Sequence, residues 1–221
     1  MVPESSVGVL RCNTLLQGRD FLKIKRFIGG SLQSNGYVLY GQTGGNCYII
    51  DPGYQPKKFI NFVKENQLTP KGIILTHLHH DHVGAAEAVR DVLECPIFMH
   101  EEDAFGYKGV VDQRIKAGDT FALDDEVLEV LHTPGHTRGS ICIMGAKSRV
   151  CFTGDTIFDT DLGRTDLAGG SEADMKRSIC DVVDLWENDI MIYPGHDDGC
   201  TMKKVRIYNT EFLALRDGNE R

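Results

Sequence analysis

Short apolar runs rich in β-branched and aromatic residues recur along the chain, separated by stretches with helical spacing. They predict strands near residues 21–28, 37–40, 47–50, 72–76, 96–99, 127–131, 140–144, 150–153 and 190–193. In Ile73-Ile74-Leu75 and Ile141-Cys142-Ile143-Met144 successive residues are all apolar. Both faces of such strands need cover, as in a sheet lying between other layers. Between the strands, Phe59, Ile60, Phe62 and Val63 mark a helix over residues 57–66, and Val83, Ala86, Val89 and Leu93 another over 83–93. Ser171-Glu172-Ala173-Asp174 resembles a capping box. Behind it Met175, Ile179, Val182, Val183 and Trp186 form one stripe, read as core. A last helix over about 201–215 presents Met202, Val205, Phe212 and Leu215. The alternation of the two periods gives an α/β class. No linker, repeat or low-complexity segment divides residues 1–221, so one domain is expected.

Composition narrows the partners. The 221 residues are 41% hydrophobic and 25% charged, with a net charge of −8. That balance lacks the main electrostatic term of non-specific nucleic-acid binding, so no nucleic-acid partner is expected. Residues 1–10 include Glu4 and lack both a basic stretch and a continuous apolar run, so no secretory leader is read there. No apolar run approaches the roughly 20 residues that span a bilayer. The seven cysteines form no CxxC pair and are odd in number, which fits reduced thiols in a cytoplasmic protein.

The chemistry concentrates in Thr76-His77-Leu78-His79-His80-Asp81-His82, directly after an apolar strand. In extended chain His77 and His79 point the same way. Asp81 and His82 are consecutive and converge only if the chain turns there, into a helix starting near Val83 and eased by Gly84. Three further ligand candidates follow strands: His136 in Thr133-Pro134-Gly135-His136-Thr137, Asp155 in Thr153-Gly154-Asp155-Thr156, and His196 in Tyr193-Pro194-Gly195-His196. Imidazole and carboxylate suit zinc, iron or manganese. Seven ligands suit two divalent ions with one carboxylate between them. His80, His100 and His132 are each read as non-ligands, and Cys200, though close to His196, is not needed.

The HxHxDH segment, the Gly-His-Thr, the Thr-Gly-Asp and the Pro-Gly-His occur in the order of the metallo-β-lactamase superfamily, which the chain resembles from Asp51 to His196. The resemblance implies a four-layer αββα sandwich with the metal site at the sheet edges. It also implies that His77, His79 and His136 hold one metal, that Asp81, His82 and His196 hold the other, and that Asp155 bridges. Asp51, in Asp51-Pro52-Gly53, matches a position that supports the metal loops, with a plain turn acid as the alternative. Gly163-Arg164-Thr165-Asp166 and the following Gly169-Gly170-Ser171 resemble the glyoxalase II-like branch, which includes thioester-cleaving enzymes and persulfide dioxygenases. Arg164 either meets a substrate carboxylate or pairs with Asp166. Glyoxalase II proteins carry a further C-terminal helical region that helps bind glutathione, whereas 25 residues follow His196 here. Weak discrimination for glutathione is therefore expected. Lys203, Lys204 and Arg206 offer either a partial substitute or a solvated basic face.

The expected reaction is hydrolysis of a small acyl thioester by a metal-bridging hydroxide, since coordination lowers the pKa of water from about 15.7 toward 7. Zinc is the preferred ion. Asp81 is the candidate catalytic carboxylate, orienting the nucleophile or carrying a proton to the leaving group. The rival readings are a lactone or ester hydrolase, a mononuclear-iron persulfide dioxygenase using His77 or His79 with His136 and Asp155, and a binding module with structural metals. Structural sites are usually closed and four-coordinate, which disfavours the last. Charge disfavours a nuclease, and Gly139-Ser140 lacks a nucleophile-elbow pattern.

Overall fold

The computed structural model describes residues 22–218. The doubly apolar runs, Ile73–Leu75 and Ile141–Ile143 among them, are buried on both faces. One sheet comprises β1 (Lys23–Gly29), β2 (Ser34–Tyr40), β3 (Asn46–Ile50), β4 (Thr69–Leu75), β5 (Ile97–His100) and β6 (Gln113–Ile115), hydrogen-bonded in that order. Its first two pairings are antiparallel and the next three parallel. The other sheet comprises β7 (Thr120–Leu123), β8 (Glu126–His132), β9 (Ile141–Gly145), β10 (Val150–Gly154), β11 (Met191–Pro194) and β12 (Cys200–Thr201), also in chain order. There β10 and β11 run parallel and the other neighbours antiparallel.

Alternation along the strands separates three cores. Tyr48, Ile50, Ile74 and Phe98 of the first sheet face Phe121, Leu128, Val130, Ile143 and Phe152 of the second. Ile49, Ile73 and Leu75 turn the other way, onto Phe59 and Val63 of α1 (Pro56–Glu65). Past α2 (His80–Val83), the same face meets Ala86 and Val89 of α3 (Ala86–Leu93). A four-residue α4 (Glu101–Ala104) follows β5. Beyond the second sheet, Cys142, Cys151 and Ile192 pack on Met175 and Ile179 of α5 (Glu172–Asp181), Met202 and Val205 of α6 (Met202–Tyr208) and Phe212 of α7 (Thr210–Asp217). The result is the helix–sheet–sheet–helix sandwich expected. Among the described residues no helix is long and apolar enough to cross a membrane.

Several boundaries differ from the sequence reading. β2 starts three residues earlier, at Ser34, because Ser34 and Asn35 are polar but buried and bonded. β6, β7 and β12 escape the pattern because they are short, and β6 contributes a single buried residue, Ile115. The helix expected over 83–93 is two, α2 and α3. The one expected over 201–215 breaks at Asn209, whose side chain caps α7 by accepting from Phe212 N and donates to the carbonyls of Phe158 and Asp161. An Asn bonded this way prefers a cap to a helix interior. Ser171 caps α5, accepting from Asp174 N, but the stripe beyond Asp181 continues through a 3-10 turn at Val183–Leu185. Phe21, Cys12 and the segment 1–10 lie outside the described residues. The six described cysteines are unpaired.

Phe152 sits between the sheets with no exposure, edge-on to Tyr37 at 5.2 Å and stacked on Tyr193 at 5.2 Å. Phe152→Ala is expected to cost about 3–5 kcal/mol in urea unfolding; a loss below about 1 kcal/mol would contradict this packing.

Candidate metal centre

The candidate ligands stand where strands end at one rim of the sandwich. After β4 the chain stays extended through His77 to His79, which has φ −67° and ψ 143° and caps α2. Asp81 and His82 lie on α2 itself. The turn therefore comes at His80, earlier than expected, and Gly84 has an ordinary helical φ of −62°. Consecutive helical residues diverge by about 100° rather than the 180° of a strand, so Asp81 and His82 can share a site. Close approach, not a left-handed turn, demands glycine nearby. A Cβ at Gly53 would overlap the Asp81 carbonyl oxygen, and one at Gly163 the Asp155 carbonyl oxygen. Parallel pairing of β10 and β11 sets Asp155 beside His196, with Gly195 N donating to Gly154 O at 2.8 Å.

Two groups of donor atoms form. His77, His79 and His136 each bring one nitrogen within 4.8 Å of the others, and so do one atom each of Asp81, His82 and His196. In the first group His79 Nδ1 lies 2.8 Å from His136 Nε2. In the second, His82 Nε2 and His196 Nε2 are 3.3 Å apart, and each is 3.3 Å from Asp81 Oδ2. Asp155 lies between them. Its Oδ2 is 3.4 Å from both His136 Nε2 and His196 Nε2, and its Oδ1 is 3.4 Å from His82 Nε2. All seven residues expected from the sequence are thus brought together.

The outward nitrogens are tied to partners that fix each ring. His136 Nδ1 donates to Arg164 O at 2.8 Å, His196 Nδ1 to Leu32 O at 3.1 Å, and His82 Nδ1 to Asp51 Oδ2 at 3.1 Å. His77 Nδ1 meets Thr76 Oγ1 at 3.1 Å, whose hydroxyl donates to Asp51 Oδ2 at 2.6 Å. With Nδ1 held by these partners, Nε2 is the nitrogen that points inward in all four. Asp51 also brings an atom near His77 and His82. It is nevertheless a support, because its oxygens already accept from Thr76 N, Thr76 Oγ1 and His82 Nδ1. Those bonds hold it in the left-handed region, at φ 47°. His77 Nε2 and Asp155 Oδ1 are buried with no hydrogen-bond partner. Orphaned buried lone pairs are costly, and a divalent cation is the group that would satisfy them. The donor set fits such ions.

The other candidates separate cleanly. His100 is buried, stacked on His132 at 4.0 Å, and accepts from Glu102 N; burial and His132 push its pKa down to about 4. His132 Nε2 donates to Arg138 O. Both stand apart from the donor groups, as does Cys200, whose thiol burial pushes up to about 11. The Arg164 guanidinium forks onto Asp166 at 2.7 Å, so what this segment gives the site is the Arg164 carbonyl. Lys204 pairs with Asp159, and Arg206 with Asp184, Asn188 and the Trp186 carbonyl. Two of the three basic side chains of α6 are thus committed. The sequence reading missed Asp103 and Asn35, buried residues that bond the ligand loops.

Charge divides the two groups. Burial and the neighbouring imidazoles lower His77 and His79, so both rings are neutral at pH 7. Burial also disfavours the His82 cation, but Asp155, Asp51 and Asp81 outweigh it and raise the ring well above its usual range. His196 is likewise opposed by burial yet raised to about 10 by Asp155 and Asp81. Burial disfavours the two carboxylates, but the same histidines hold both far below the usual range. In the metal-free protein the raised His196 therefore contributes stability that is full below about pH 6.5 and lost as pH rises through about 10. The depressed Asp81 and Asp155 contribute stability present above about pH 4 and lost on acidification. Metal uptake at pH 7 must strip protons from His82 and His196. Calorimetric titration in buffers of different ionisation enthalpy should find more than one proton released per chain; uptake without proton release would contradict this charge state.

Residues 29–196 match the family model for the metallo-beta-lactamase superfamily. An uncharacterised protein of Mycobacterium leprae is 36% identical over 210 residues, covering 84% of this chain and 96% of that one. Hydroxyacylglutathione hydrolase GloC of Haemophilus influenzae is 32% identical over 182 residues, covering 74% and 86%. The solved structure of TTHA1623 in a di-iron-bound form aligns with a TM-score of 0.73 at 28% identity, covering 84% and 98%. Fold, strand-end histidines and family match agree: the chain belongs to the metallo-beta-lactamase superfamily of metallo-hydrolases.

Proposed function

We propose that the chain hydrolyses small acyl thioesters with two divalent metal ions, one at His77, His79 and His136, the other at Asp81, His82 and His196, with Asp155 reaching both. The convergence of two three-atom donor groups on one carboxylate carries this reading. Zinc suits the donors, and the di-iron form of TTHA1623 makes iron the alternative. When bound, such ions lower the pKa of water toward 7 and polarise a carbonyl.

The protein's own groups favour a particular leaving group. Asp81 is the catalytic carboxylate. As a carboxylate holding a cation it would be ionised. An ionised carboxylate accepts a hydrogen bond from water and orients it, but it is a poor acid. A thiolate, with a parent pKa of about 8.5, departs without being protonated, whereas an amine does not. Thioesters are thus the substrates that ask least of this site, and the likeness to GloC points the same way. Three cations near the site loops are already paired, Arg164 with Asp166, Lys204 with Asp159 and Arg26 with Asp198. A glutathione carboxylate would have to displace those acids to gain from them.

S-lactoylglutathione, a short non-glutathione thioester, the matching oxyester and a β-lactam separate the readings. We expect both thioesters to be cleaved with kcat/KM within about tenfold, roughly the value of one charged hydrogen bond, the oxyester more slowly and the β-lactam not measurably. A large preference for the glutathione compound would remove the relaxed selectivity. Cleavage of neither thioester, with oxygen consumed on glutathione persulfide, would establish the iron dioxygenase instead.

His79→Ala and Asp155→Ala should lower kcat/KM by more than the roughly 100-fold typical of a supporting contact, and His100→Ala by less than about tenfold. Equal damage from His100→Ala would contradict the assignment.

A further inference from the structure

We infer that, apart from Asp51, which supports both, the two halves of the metal centre are positioned by separate devices: Asp103 holds the segments of His77, His79 and His136, while Asn35, with its neighbour Ser34, holds those of His196 and Asp81. The inference rests on the two-metal reading above and adds to it residues that act through the ligand loops.

Asp103 is 1% exposed, on α4 at the end of β5. Its Oδ2 accepts from Leu78 N at 2.9 Å and Thr137 Oγ1 at 2.7 Å, and its Oδ1 accepts from Gly139 N at 2.7 Å. Leu78 lies between His77 and His79, and Thr137 follows His136. One carboxylate on the first sheet thus holds two ligand segments, one from each sheet. Its own frame is fixed by His100, which caps α4 and stacks on His132 of β8.

Asn35, also 1% exposed, does the corresponding work from β2. Its Nδ2 donates to Pro194 O at 3.0 Å and Asp197 O at 2.8 Å, carbonyls that bracket Gly195 and His196, and its backbone N donates to Gly195 O at 2.7 Å. Beside it Ser34 Oγ donates to Asp81 O at 2.7 Å and Tyr37 Oη to Pro194 O at 2.6 Å. The partners of Asp103 lie on the segments of one donor group, and those of Asn35 and its neighbours on the segments of the other.

The two devices are chemical opposites of nearly equal shape. Asp103 takes three donors, so Asp103→Asn turns an NH2 against a donor. Asn35 gives two hydrogens to carbonyls, so Asn35→Asp turns a carboxylate against them. Both residues are positioning residues, and a general loss of stability would weaken both metal sites together.

The test is zinc titration by calorimetry of the full chain in two backgrounds. His196→Ala leaves the three-histidine group, and His79→Ala leaves the other. Asp103→Asn should weaken zinc about 10- to 100-fold in the first background and leave it within about threefold in the second, well below the effect of a supporting contact. Asn35→Asp should do the reverse. Thr137→Val and Tyr37→Phe, each removing one hydroxyl from its device, should give smaller losses with the same selectivity and serve if the isosteric swaps do not fold. Equal weakening in both backgrounds, or none in either, overturns the inference. Should the unaltered chain bind only one ion, the two-metal reading falls. The group that holds that ion must still respond to its own device and not to the other; a response to the wrong device overturns the inference in that case too.

Discussion

The organisation of the rim follows from one constraint, that imidazoles and carboxylates converge there around buried acceptors with no hydrogen-bond partner. His79 Nδ1 and His136 Nε2 stand 2.8 Å apart, and His77 Nε2 is buried without a partner. A buried lone pair without a donor has lost its water. The arrangement persists because four of the five rings, all but His79, are held from behind, by the carbonyls of Arg164 and Leu32, by Asp51 and by the Thr76 hydroxyl. The unmet acceptors of His77 and Asp155 are the signature of a site made for cations.

The two donor groups meet that constraint differently. Around His77 and His79 the rings are neutral, and nothing has to leave before a metal is taken up. Around His82 and His196 the flanking carboxylates favour the imidazolium forms, so protons and a metal compete for the same nitrogens. Asp155 serves both, which couples them.

Much of this was legible in the sequence, for identifiable reasons. Doubly apolar strands such as Ile73–Leu75 announce a sheet covered on both sides, and three cores sort along them. The histidine and aspartate ligand candidates stand out because they cluster in motifs at strand ends. What stayed hidden was carried by short or polar elements. The three-residue β6 contributes one buried residue, and β2 opens on Ser34 and Asn35, whose burial depends on partners more than 40 residues distant. Asp103 is one of three consecutive acids in Glu101-Glu102-Asp103, and only the fold sets it apart from its exposed neighbours. Arg164 attracted attention for its charge, yet its carbonyl oxygen is the group that reaches the site.

The central claim, that these residues hold two ions around one shared carboxylate, is tested most directly by anomalous diffraction from zinc-loaded crystals. The account predicts two peaks at roughly 2.0–2.2 Å from their ligand atoms. One should lie among His77 Nε2, His79 Nδ1 and His136 Nε2, the other among Asp81 Oδ2, His82 Nε2 and His196 Nε2, with an oxygen of Asp155 near each. A single peak, or a second peak away from His82 and His196, would contradict it.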